Sequence, residues 1–132
     1  MIVIKEQNIA RNFVARAVAT QQLKKRMIDQ RIQLFVMDEG DDARAQIMPI
    51  ADAVFVMAYA LEMTDQGESV EHRQLRSAML VLTECSERQF KWRKIDTITI
   101  DNAIDICVNK WTKVPAQILQ DGITIIRLGT IK

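Results

Sequence analysis

Asp101 and Asp105 lie four residues apart, a spacing that puts both carboxylates on one face of a helix. Such a pair can hold Mg²⁺ or move protons when further ligands join it. No such ligand is identifiable nearby, and any polar helix face carries the same spacing. His72 is the sole histidine, and its place in the first turn of an expected helix reads as exposed and structural. Cys85 and Cys107 lack CxxC spacing and sit among apolar residues at helical intervals, so they read as buried free thiols in a reducing setting. One histidine and two separated cysteines do not make an ordinary zinc ligand set. There is no GxSxG elbow, glycine-rich phosphate loop or HExxH. The expectation is a protein that is not an enzyme, with no catalytic residue, cofactor or metal.

Asp52 is the more unusual carboxylate, because it interrupts the apolar stretch IMPIADAVFVMAYALEM from Ile47 to Met63. A charge there must reach a basic partner, a helix end or solvent. With Pro49 read as lying in the first turn, Asp52 is expected to face the positive end of the helix dipole. The stretch itself is apolar on every side of any helix it forms, which marks a core or interface helix. Methionines 48, 57 and 63 within it suit an irregular core or an adaptable protein contact. Met48, Phe55, Met57, Tyr59 and Met63 are therefore the candidate contacts for a partner protein or a second copy.

The elements around this helix follow from periodicity. Asn8 to Met37 contains no Gly or Pro, and Ile9, Phe13, Ala17, Thr20, Leu23, Met27 and Leu34 fall near one stripe, predicting one long helix or two with a bend. DEGDDA around Gly40 makes the turn, and Asp65-Gln66-Gly67 stops the central helix. Ser69 caps a third helix that presents Leu75, Ala78, Met79, Leu82 and Cys85. Ile100, Ala103, Ile104, Cys107, Val108 and Trp111 define a fourth, ended by Pro115. A short helical turn closed by Gly122 follows. The β-branched tail ITIIRLGTIK reads as a strand, with Met1–Ile4 as its partner. The expected architecture is mainly α, a compact single-domain bundle (residues 1–132) of four or five helices around a buried central one, with a minor two-stranded ribbon from the termini.

The composition, 48% hydrophobic and 27% charged with 4 Gly and 2 Pro, fits that class and disfavours an all-β chain. The opening MIVIKEQNIAR is too short in apolar residues for a signal-peptide core, and the central stretch falls short of the roughly 20 residues of a membrane span. A cytoplasmic location without membrane contact is expected.

Net charge is +1, but its layout is segmented: +5 over residues 1–36, −8 over 37–71, +4 over 72–94 and zero beyond. In one reading the acidic turns neutralise neighbouring basic helices. In the other, Lys24, Lys25 and Arg26 join Arg88, Lys91, Trp92, Arg93 and Lys94 in a polyanion-binding surface with aromatic stacking. Phe90 and Trp92 are also two of only seven aromatic residues, which a core would claim.

From Ile32 to Trp111, the acidic Gly turn, the Ala-rich apolar helix ending in Asp65-Gln66-Gly67, then Glu71 and the Arg76-Ser77-Ala78-Met79 helix resemble small helical accessory proteins of bacterial prophages, some of them regulators. The resemblance implies a phage or mobile-element accessory protein and transfers no residue roles. It lacks a helix-turn-helix: the helix after Gly67 opens with Glu68 and Glu71, which repel phosphates. Together these features predict a homodimeric protein-binding regulator or inhibitor. The alternative is a nucleic-acid-binding module using the basic residues of the first and third helices.

Overall fold

The computed structural model describes the backbone of residues 2–130 and the side chains of residues 18–128. Five helices follow one another: α1 (Ile2–Val36), α2 (Arg44–Met63), α3 (Val70–Glu87), α4 (Thr97–Trp111) and α5 (Ala116–Thr130). A single 3-10 turn, Lys94–Asp96, leads into α4. No strand occurs among the described residues. The mainly α bundle expected from periodicity is the observed one.

At the centre lies α2, which packs against all four other helices. Ile47, Ile50, Val54, Val56, Met57 and Leu61 are enclosed on its different sides. By length and composition α2 could span a bilayer, yet more than half of its apolar window is covered by the other helices. Its C-terminal end is held by the Thr64 hydroxyl donating to the Ala60 carbonyl at 2.8 Å, and Asp65 then turns the chain with φ of 60°. Ser69 caps α3 as its side-chain type predicts, accepting from the His72 backbone N–H at 3.1 Å.

Two loops are stitched together by a short antiparallel bridge between Asp42 and Lys91. Gly40 N–H donates to the Trp92 carbonyl, Trp92 N–H to Asp41, and Ala43 N–H to Phe90, each at 2.8 Å. This stitch needs positive φ at Gly40 (85°), Gln89 (59°) and Phe90 (61°), and it drives the Trp92 ring into the core, 1% exposed.

The terminal ribbon is not formed. Ile2, Val3 and Ile4 continue α1, and the tail through Thr130 continues α5, while Met1, Ile131 and Lys132 lie outside the described residues. Read at helical spacing, Leu119, Ile123 and Ile126 share a face that packs on the core, and burial of that face outweighs the β preference of its branched residues. Gly122 is correspondingly not a stop. It lies mid-helix where α5 presses on α2, and a Cβ there would meet Val56 Cγ1 and Tyr59 Cδ1 at 3.3 Å.

Candidate functional site

Against α3, α2 does not close. Between them runs an apolar groove of about 360 Å³, lined from α2 by Met48, Ala51 and Phe55, from α3 by Met79, Leu82 and Thr83, with Phe90 just beyond α3 and Ile126 of α5 completing the lining. The guanidinium of Arg44 stacks over the Phe90 ring, 4.7 Å from its centroid, fixing that ring. Phe55 and Met79 also line a second hollow of about 200 Å³ further along the seam, with Tyr59, Glu62, His72 and Arg76. The two hollows are thus consecutive parts of one α2–α3 seam.

Asp52 is the groove's single carboxylate, half-buried and without a hydrogen bond or ion pair among the described residues. It is not in the first turn. The helix begins at Arg44, so Pro49 already lies inside it and Asp52 falls beyond reach of the N-terminal N–H groups. Burial pushes its pKa up, opposed in part by the charge of Arg26 on α1. An apolar channel with one poorly solvated carboxylate can take an apolar side chain and, beside it, a cation or hydrogen-bond donor.

Of the five contacts expected on α2, four reach the seam or the surface. Met48 and Met63 are exposed, and Phe55 and Tyr59 are half-buried along the two hollows. Met57 is a correction: it is fully enclosed, because it points from α2 into the bundle, and no partner can touch it. Of the groove's α3 wall, Met79 and Leu82 lie on the face expected from periodicity, whereas Thr83 and Ser86 were missed by sequence reasoning. Positions 79, 83 and 86 carry the spacing of a helical stripe, but Thr83 and Ser86 are hydroxyl residues, so a search for core residues passes over them.

His72 is also corrected. It is 3% exposed, turned inward so that Nε2 meets Glu62 Oε1 at 3.0 Å, while its buried Nδ1 has no partner. Asp101 and Asp105 together grip Arg31 of α1, Asp101 accepting from Nε at 2.7 Å and Asp105 from a terminal nitrogen. The two carboxylates raise the Arg31 pKa further, and the pair serves as a clamp between α1 and α4. Both cysteines are buried free thiols; burial pushes Cys107 up to about 12 and Cys85 in the same direction.

The two basic segments are not brought together. Lys24, Lys25 and Arg26 are separated by roughly 17 Å of helix from the C-terminal end of α1, near which Lys94 meets Asp38 at 3.9 Å. Around the second segment, Glu39 accepts from the Lys94 backbone, Arg88 lies 3.6 Å from Asp96, and the backbone of Lys91 pairs with that of Asp42. Arg93 and Lys91 are exposed, but Trp92 is a correction to the stacking surface, since the loop stitch buries its ring. No family model matches this chain, nor does any curated protein or solved structure.

Proposed function

We propose that this chain is a protein-binding protein, a regulator or inhibitor that acts by taking an apolar segment of a partner into the α2–α3 groove. The observation that carries this reading is the groove itself, in which adaptable methionine and phenylalanine side chains stay open to solvent beside the lone carboxylate of Asp52. Its favoured occupant is a short amphipathic segment with one or two large apolar side chains and a basic residue opposite Asp52. Resemblance of the middle of the chain to prophage accessory proteins supports the same reading and extends it to a mobile-element origin.

Affinity capture from the native cell tests it, with wild type beside Thr83→Arg and Met48→Glu, both at exposed groove positions. The expected result is a partner retained stoichiometrically by wild type and lost by both variants. Capture that survives both substitutions overturns the groove as the binding site. Binding of labelled DNA or RNA that weakens steeply with salt would favour the nucleic-acid reading instead.

A further inference from the structure

The Asp52 carboxylate does not border the apolar groove alone. Together with Ile126 it also lines a polar hollow of about 120 Å³, whose wall is completed by Gln22 and Arg26 of α1 and Arg127 of α5. The apolar groove between α2 and α3 and the polar hollow between α1 and α5 thus adjoin at Asp52. In the polar hollow opposite charges face each other without joining: Arg26 is near enough for its charge to act on the Asp52 carboxyl, yet the two form no ion pair, and neither has another partner among the described residues. Arg127 is already engaged, so it bounds the hollow without being needed for charge balance. Arg44, the cation nearest the apolar part, is stacked on Phe90.

An anion and a cation held apart across a hollow complement a molecule that brings the reverse pair between them. An ammonium beside Asp52 and a carboxylate beside Arg26 gain charge-assisted hydrogen bonds that the two side chains do not make with each other. A free α-amino acid carries both groups on one carbon, and its side chain leaves from the same carbon. We infer that this chain binds a free α-amino acid with a large apolar side chain, its Cα at the junction, its ammonium on Asp52, its carboxylate toward Arg26 and its side chain in the groove beside Phe55 and Met79. A groove of about 360 Å³ has room for the largest apolar side chains. A fatty acid would bring its carboxylate past Asp52, and an apolar amine would leave Arg26 unmatched. A residue inside a peptide has neither charge on its backbone and a terminal residue has one, so the free amino acid matches the site better than a partner's chain does at this point. Its binding overlaps the partner groove without requiring a partner.

Isothermal titration calorimetry of the full chain at neutral pH tests the site, with L-phenylalanine, L-leucine, L-methionine and L-tryptophan as ligands. At least one is expected to bind, one molecule per chain, and its analogues lacking the ammonium or the carboxylate to bind about tenfold more weakly, the loss of one charge-assisted hydrogen bond. Asp52→Asn is expected to weaken the amino acid by about tenfold and to leave the analogue without an ammonium no weaker, while Arg26→Gln weakens the amino acid and spares the analogue without a carboxylate. Both variants are expected to fold, since Arg26 is exposed and Asp52→Asn removes a half-buried charge. A merely structural effect would weaken all three ligands alike, and that outcome overturns the assignment of the substituted residue. No heat and no rise in melting temperature from any of the four amino acids at millimolar concentration overturns the site, as does equal binding of either analogue. Partner capture is read at Met48 and Thr83 without added amino acid, so its failure is distinguishable from failure here.

Discussion

α2 meets α5 and α3 in opposite ways. Around Gly122 the seam with α5 is shut: the glycine has no side chain, the helix backbone comes down onto Val56 and Tyr59, and a single added carbon would already be tight at 3.3 Å. Against α3 the facing residues are Ala51 on one side and Thr83 and Ser86 on the other, too short to meet, while the longer Met48, Phe55 and Met79 stand at the edges. Small residues therefore do two different things along the same helix. Where a glycine is matched by bulky neighbours the helices touch; where small residues oppose small ones a groove remains.

Truncation separates the two kinds of seam most sharply. Met57→Ala, on the enclosed side of α2, is expected to cost about 2–5 kcal/mol in chemical denaturation, because nothing can refill the space. Met48→Ala, at the rim of the groove, should fall within about 0.5 kcal/mol of wild type. Equal losses at the two positions would erase the distinction. Next in size, Gly122→Val should destabilise by about 1–3 kcal/mol through overpacking against Val56 and Tyr59, read as a lower denaturation midpoint. A neutral result would mean that the shut seam has slack.

pH gives a smaller test on the groove side. The Asp52 carboxyl has a native pKa raised above its ordinary 3.8 by burial, so the folded state holds that proton more tightly than the unfolded chain does. Its contribution therefore favours folding as pH falls through the native pKa, and ionisation above it works against folding. Asp52→Asn is expected to melt at a slightly higher temperature than wild type at neutral pH, with the gap closing on acidification and gone below 3.8. An Asp52→Asn variant that melts lower at neutral pH would instead mean that the charge of Arg26 outweighs burial. The smallest effect is chemical. Neither Cys85 nor Cys107 should react with a thiol reagent at pH 8 in the native state, and Cys107, pushed up to about 12, should react only on global unfolding. Rapid labelling of Cys107 would show that the enclosed side of the bundle opens.

Much of this architecture is written in periodicity. The helix through Asn8–Met37, the apolar Ile47–Met63 helix, the Ser69 cap and the Ile100–Trp111 face all rest on contacts within a turn or two, and they appear as local spacing and capping require. The ends of the chain did not yield to the same reading. ITIIRLGTIK has the branched residues of a strand, and only the presence of α2 makes the helical face of Leu119, Ile123 and Ile126 worth burying. The groove was half legible: its α2 wall lies within the methionine-bearing stretch, but its α3 wall includes hydroxyl residues that look like ordinary surface.

By itself, then, the amino-acid order determined the helices and the identity of the central one, because those depend on near neighbours and on an apolar count that no solvated helix tolerates. Tertiary structure alone decided that Trp92 and His72 turn inward, that Asp101 and Asp105 close on Arg31, and that acidic turns interlock with the second basic segment. Each of these joins residues distant along the chain, and their energies depend on which helix happens to lie opposite. A one-dimensional pattern carries no such information: spacing tells which residues share a face, and only packing tells what that face meets.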